Sequence, residues 1–312
     1  MSTPSRPGRL QWDEVPAELR ADLGSLLGSP VTDTRTPSGG FGHQLAAVLT
    51  ASNGRRAFAK AAPTRDPLTG ANLREAAVLR TLPADAPAPG LIAVCEAAGW
   101  TAVVMDHLDG THPDLSPNSA DHAEIAALLD KLASSTAPTS FTALTGDPGV
   151  SSTARLHGWT VLAKQPGGLP REARDHLPRL VELEQRWPHL AAHGDRIVHG
   201  DLRADNMVHD RRRGPVFVDW AHAATGPACV DIVSLAPQYV LAGHDPQRVA
   251  WQLHEHPAAH DMEAACAFLA ALTGHWQRNS LLPPPAPAPG LRAYQKAAAH
   301  AGLAVLTHLY LS

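Results

Sequence analysis

The chain has 312 residues, 44% of them apolar and 18% charged, a balance that suits a globular protein with a sizeable core. A net charge of −4 gives no electrostatic reason to expect nucleic acid or an anionic membrane surface, and no apolar run is long enough to span a bilayer. Cys95, Cys229 and Cys266 are odd in number, far apart and form no CxxC pair. With a polar N-terminus that lacks an apolar signal core, they predict a cytoplasmic protein without a disulfide framework.

Residues 1 to 12 read as a loose tail. Val15, Leu19, Leu23 and Leu26 then recur at helical spacing between Asp13 and Leu27. Strands are predicted over Val31 to Arg35 and Gln44 to Thr50, separated by the glycine-rich SGGFG at 38 to 42. Asn53-Gly54 tolerates positive φ at both turn positions and joins the second strand to a third, Arg56 to Ala61. A short helix over Leu73 to Leu82 and strands over Leu91 to Cys95 and Thr101 to Met105 complete a small five-stranded sheet with one helix against it. Residues 1–105, with 1–28 as tail and helix, thus read as a nucleotide-binding lobe, and 106–110 as a hinge.

Residues 111–312 read as a mainly helical catalytic and substrate-binding lobe. Ser119 to Ser134 is amphipathic, with Ile125, Leu128, Leu129 and Leu132 on one side. The stretch 136–170, rich in Ser, Thr, Gly and Pro, gives no clear assignment. Arg171 to Leu190 reads as a helix interrupted at Pro178. Further helices are expected near Asp231 to Leu241, Pro246 to His254, Asp261 to Gly274 and Leu291 to Leu309, with the proline run at 281–289 as a stiff connector. HEHPAAH, which holds His254, His256 and His260, does not match HExxH and reads as solvated histidines rather than a zinc site.

The chemistry concentrates in IVHGDLRADNMVHDRRRGPVFVDW, from Ile197 to Trp220. Asp201 follows a short apolar strand, Asn206 lies five residues on, and Asp219 ends a second apolar strand. These are the residue types that phosphoryl transfer needs: one acid to accept a hydroxyl proton, an amide and a second acid to hold Mg2+ on a nucleotide. Arg203 either neutralises charge on the transferred phosphate or is a solvated surface arginine. Upstream, alternation on the third strand sends Phe58 and Lys60 to one face, where Lys60 can reach nucleotide phosphates and Glu75 can orient it. Ser38, Gly39 and Gly40 lie before that strand, and their backbone N–H groups suit a phosphate-covering loop.

HGDLRADN resembles the protein-kinase catalytic loop HRDLxxxxN. The glycine after the histidine, and DW where kinases carry DFG, resemble the aminoglycoside phosphotransferase family. The resemblance spans the chain from about Thr32 onward, although its specific motifs are a few short segments. It implies a protein-kinase-like bilobal α+β fold, with a small antiparallel-sheet lobe and a larger mainly helical one. By the same resemblance His199 braces the catalytic loop and Asp231 ties the last helices to the site. Backbone groups of Asp106 and Leu108 would meet the purine edge, with Met105 bordering the base. Asp205 stands where the family frequently has glycine.

Only 11 residues separate Asp219 from Asp231, and no APE-like ending follows, so a small hydroxylated acceptor fits better than a polypeptide. The expected activity is an O-phosphotransferase using ATP or GTP with Mg2+. Its acceptor is an aminoglycoside-like antibiotic, sugar, nucleoside or other metabolite, and resistance, biosynthesis and salvage all stay open. The alternative is an inactive kinase-fold module that only binds nucleotide. From Leu241 onward four acids, Asp245, Glu255, Asp261 and Glu263, balance four bases, Arg248, Arg278, Arg292 and Lys296, which weighs against a polycationic acceptor. Oligomeric state is not legible.

Overall fold

The computed structural model describes residues 9–37, 42–145, 153–286 and 288–311. Helix α1 (Ala17–Leu27) precedes β1 (Val31–Arg35), β2 (Leu45–Ala51) and β3 (Arg56–Pro63). Helix α2 (Pro67–Thr81), β4 (Leu91–Ala97) and β5 (Trp100–Asp106) follow. The five strands form one antiparallel sheet in the order β1-β2-β3-β5-β4, as their turn signals imply. Strand alternation decides what each face meets. Ala57, Ala59, Ala61, Ala102 and Val104 face α1, packing against Leu19, Leu23 and Leu27. Val103 and Met105 face the other way, with Phe58, Ala76 and Leu79.

The sheet therefore carries a helix on each face, not one alone. The α1 leucines recur every four residues, so its stripe is buried against the alanine face. Helix α2 also starts six residues earlier than the apolar pattern suggests. Asp66 caps it, accepting a hydrogen bond from Leu68 N at 2.8 Å, and Pro67 sits in the first turn, where it forfeits no helical bond.

After β6 (Gly110–Thr111) the chain runs through α3 (Asp121–Ser134), α4 (Thr139–Thr145), α5 (Trp159–Leu162), α6 (Arg171–Asp175) and α7 (Leu177–Ala191). The expected interruption near Pro178 falls at His176, between α6 and α7, because Pro178 occupies the tolerant first turn of α7. Glu184 on α7 accepts hydrogen bonds from the N–H groups of Gly158, Trp159 and Thr160 and so caps α5 from a distance. Strands β7 (Arg196–Val198), β8 (Met207–Asp210), β9 (Gly214–Phe217) and β10 (Ala224–Gly226) then form two small antiparallel sheets, β6-β8-β9 and β10-β7.

Helices α8 (Val230–Leu241), α9 (Pro246–Glu255), α10 (Met262–Ser280) and α11 (Leu291–Leu306) complete the lobe. Trp187, Val233, Phe268 and Leu303 share its largest core, and each such buried side chain contributes roughly 1.5–3 kcal/mol. Helix α10 continues past Gly274, where the sequence suggests an end. A Cβ there would stand 2.6 Å from both Trp159 and Glu184, so the glycine serves close helix packing rather than termination. Among the described residues no helix is long and apolar enough to cross a membrane.

Candidate active site

Lys60 projects from β3 beside Phe58, away from the alanine face. Its Nζ lies 2.6 Å from Glu75 Oε2 on α2 and 3.0 Å from Asp219 Oδ1, which is 159 residues further along the chain. Lys60 is 7% exposed and Glu75 1%, so neither charge is stable there without the other. Burial works against the Lys60 charge, but the two carboxylates outweigh it and raise its pKa. Burial pushes the Glu75 pKa up despite the amine, whereas Lys60 holds Asp219 down at about 2. Glu75 Oε1 also accepts the N–H of Trp220 at 3.1 Å, and Arg74 donates to the carbonyls of Ala221 and Ala223. Helix α2 is thereby fastened to the segment that follows Asp219.

The Ile197 to Trp220 unit forms as β7, a loop with a single 3-10 turn at Ala204–Asn206, and the β8-β9 hairpin. Gly200 has φ +79°, and a Cβ on it would stand 2.5 Å from the His222 carbonyl oxygen, so only glycine fits. His199 is fully buried. Its ring donates from Nε2 to the Val218 carbonyl at 2.9 Å, and burial lowers its pKa to about 4. Asp231, at the start of α8, accepts the N–H groups of His199 and Gly200 at 2.8 and 3.0 Å. Burial nonetheless raises its pKa to about 6.

Asn206 Nδ2 donates to the Asp201 carbonyl at 2.7 Å and to its carboxylate at 3.1 Å. Both amide hydrogens are thus committed, and Oδ1 is left as the acceptor. Burial raises the Asp201 pKa, while Arg203 pulls the other way. Arg203 forks onto Asp205, at 3.0 and 3.1 Å, and holds Nη1 3.7 Å from Asp201 Oδ1. Burial opposes the charge of Arg203, but Asp201 and Asp205 overcome it, so this is not a solvated surface arginine. Asp219 itself adopts the left-handed conformation, φ +68°. A non-glycine residue held there is strained, as active-site residues frequently are.

A cleft of about 380 Å³ lies between the two lobes, lined by Val48, Phe58, Lys60, Glu75, Met105, Asp106, Leu108, Asn206, Val218 and Asp219. Apolar side chains share this lining with the lysine and the oxygen donors, the combination a nucleotide requires. The Asp106 N–H is already donated to the Gly90 carbonyl at 2.9 Å. Ser38, Gly39 and Gly40 lie outside the described residues.

The sequence reading did not single out the lining residues Arg9, Arg35, Gln44 and His107, among others. The tail assignment fails from residue 9, since Arg9 Nε donates to the Gly42 carbonyl at 3.3 Å and Leu10 N to His43 at 2.8 Å. His107 was available as the neighbour of Asp106, and its Nε2 is buried without a hydrogen-bond partner. Elsewhere His256 turns to Asp130, at 3.2 Å, and among the described residues no group of three His, Cys, Asp or Glu side chains is placed to hold a metal.

A sheet-borne lysine ion-paired to a helix glutamate, over a helical lobe that presents an HGD loop and a strand-end aspartate, defines a kinase-like phosphotransferase fold. Solved structures agree. A thermostable mutant of the aminoglycoside phosphotransferase APH(4)-Ia, in ternary complex with ADP and hygromycin B, is 14% identical over 92% of this chain and 98% of its own, with a TM-score of 0.56. Choline kinase LicA from Streptococcus pneumoniae is also 14% identical, over 92% and 98%, with a TM-score of 0.60. An aminoglycoside phosphotransferase from Alicyclobacillus acidocaldarius is 16% identical over 97% and 98%, with a TM-score of 0.51. A comparison with curated protein sequences finds no match. The model of the phosphotransferase enzyme family matches residues 33–268, and the chain belongs to that family. Membership makes it a small-molecule kinase with an alcohol group as acceptor.

Proposed function

We propose that the chain transfers the γ-phosphate of ATP or GTP to a hydroxyl of a small molecule, with residues 106–110 as the hinge between a nucleotide-binding lobe and a catalytic lobe. The observation that carries this reading is the meeting of Lys60, Glu75 and Asp219 in the cleft that Asn206 also lines. Relatives crystallised with ADP and AMP-PNP support the use of a nucleotide.

The donor set suits magnesium. Asn206 Oδ1 and the Asp219 carboxylate are hard oxygens on one cleft, and Lys60 engages only Oδ1 of Asp219. Bound there with a nucleotide, magnesium would neutralise charge on the phosphate oxygens. Lys60, held protonated by its carboxylate partners, meets the α- and β-phosphates. Asp201 orients the acceptor hydroxyl and takes its proton, and Asn206 fixes that carboxylate by donating to it. Arg203 supplies positive charge beside the transferred group, steadied by Asp205. Because the transition state is loose, positioning outweighs the strength of the base.

The test is slow magnesium-dependent nucleotide hydrolysis, followed by an acceptor screen with labelled nucleotide. Hydrolysis should disappear in Asp201→Asn and Asp219→Ala. Thermal stabilisation by nucleotide with no turnover across a broad acceptor panel would establish a binding module instead.

A further inference from the structure

The strand register orders the cleft from one end to the other. Met105 pairs with Phe58, Phe58 with Val48, and Lys60 with Ala46. Gln44, Ala46 and Val48 alternate onto the face that lines the cleft, together with Phe58 and Lys60. Moving from Val48 towards Gly42 therefore leaves the Met105 end, passes Lys60 and its partner Asp219, and reaches Gln44 and Gly42. Among the described residues, the lysine and arginine side chains that line this cleft are Arg9, Arg35 and Lys60. Arg35 pairs with Val48 and so stands at the Met105 end. Arg9 stands at the other, because its Nε donates to the Gly42 carbonyl.

The segment that carries Arg9 is fixed to the sheet. Beside it, Leu10 N donates to the His43 carbonyl, and Leu10 and Trp12 pack against the core under α1. Gln11 donates from Nε2 to the Arg9 carbonyl at 2.6 Å. The stretch that Arg9 and Leu10 hold is braced in turn by α2 and its cap. His43 Nε2 meets Asp66 Oδ2 at 2.7 Å, and Asn72 Nδ2 donates to Gln44 Oε1 at 2.8 Å. Lys60 divides its charge between two carboxylates, Glu75 and Asp219. A nucleotide tail with several negative charges gains from a further cation. A guanidinium is planar and always protonated, and its forked N–H groups match phosphate oxygens.

Resting on the phosphotransferase reading above, we infer that Arg9 binds the distal phosphates of the nucleotide, so that the segment ahead of α1 is part of the active site. It meets the end of the phosphate tail, beyond the part that Lys60 engages. Calorimetric titration of AMP and AMP-PNP, each with magnesium, into the full chain tests this. In Arg9→Gln the affinity for AMP-PNP should fall at least tenfold and that for AMP less than twofold. Arg9→Lys, which keeps the charge, should restore most of the loss, and the KM for ATP in magnesium-dependent hydrolysis should follow the same order. Equal losses for AMP and AMP-PNP would make Arg9 a mere brace for Gly42 and overturn the inference. Unchanged affinities, or a lysine variant as weak as the glutamine one, also overturn it. Failure of the parent chain to bind either nucleotide overturns the phosphotransferase reading itself, and the inference with it.

Discussion

The backbone N–H of Trp220 donates to Glu75 Oε1 at 3.1 Å, while the other oxygen of the same carboxylate holds Lys60 at 2.6 Å. One buried side chain therefore fixes both the ammonium group above the cleft and the turn that carries Asp219 below it. Glu75→Gln leaves Lys60 with Asp219 alone and removes the closer and more buried of its two partners. Destabilisation of about 3 kcal/mol is expected in denaturant titration, together with a rise in nucleotide KM. Unchanged values of both would show that the pair does not couple the lobes.

Asp201 and Asn206 separate by kinetics. Asp201→Asn keeps the shape of the loop and removes the proton acceptor, so kcat should fall roughly 10²–10⁴-fold with nucleotide affinity retained. Asn206→Ala removes an oxygen donor from the cleft and the two hydrogen bonds to Asp201. It should raise the magnesium concentration needed for half-maximal rate, which a metal titration at saturating nucleotide reads directly.

Gly200→Ala tests the backbone. Positive φ and a Cβ 2.5 Å from the His222 carbonyl should together cost about 1–3 kcal/mol and lower kcat, since the loop that carries Asp201 has to shift. A variant as stable and active as the parent would show that the turn relaxes freely.

The pH dependence of stability contains two opposing contributions. His199, with a folded pKa of about 4 against an ordinary 6.5, destabilises the fold as pH falls through that window, because the unfolded chain takes up the proton first. Asp231, with a folded pKa of about 6 against 3.8, does the reverse: the folded chain takes up the proton first, so stability rises as pH falls from 6 to 3.8. Between pH 4 and 6 each state has bound one of the two protons, and these contributions nearly cancel. Asp231→Asn removes the compensation, so its stability should fall by about 3 kcal/mol between pH 6.5 and 4 relative to its own value at neutral pH. Denaturant midpoints across that range provide the check.

Much of the architecture was legible because its signals are local. Strand alternation put Phe58 and Lys60 on one face, Asn53-Gly54 marked the hairpin, and the order of the HGD loop, Asn206 and Asp219 is a short-range pattern. Where the reading of elements failed, the deciding contact was long-range or a cap outweighed the apolar period. Gly274 ended a helix on paper because nothing in its neighbours reveals that Trp159 must approach it. Helix α2 was started at Leu73, beyond Gly70, although Asp66-Pro67 carried the true start.

Sequence alone determined the chemical types present, the periodicities and the family pattern, since these depend on residues within a few positions of one another. Tertiary structure decided which charges meet. Lys60 finds Asp219 across 159 positions, and Arg203 is taken up by Asp205 and laid beside Tyr294. Coulomb energy depends on separation through space and on burial, and neither is encoded in distance along the chain.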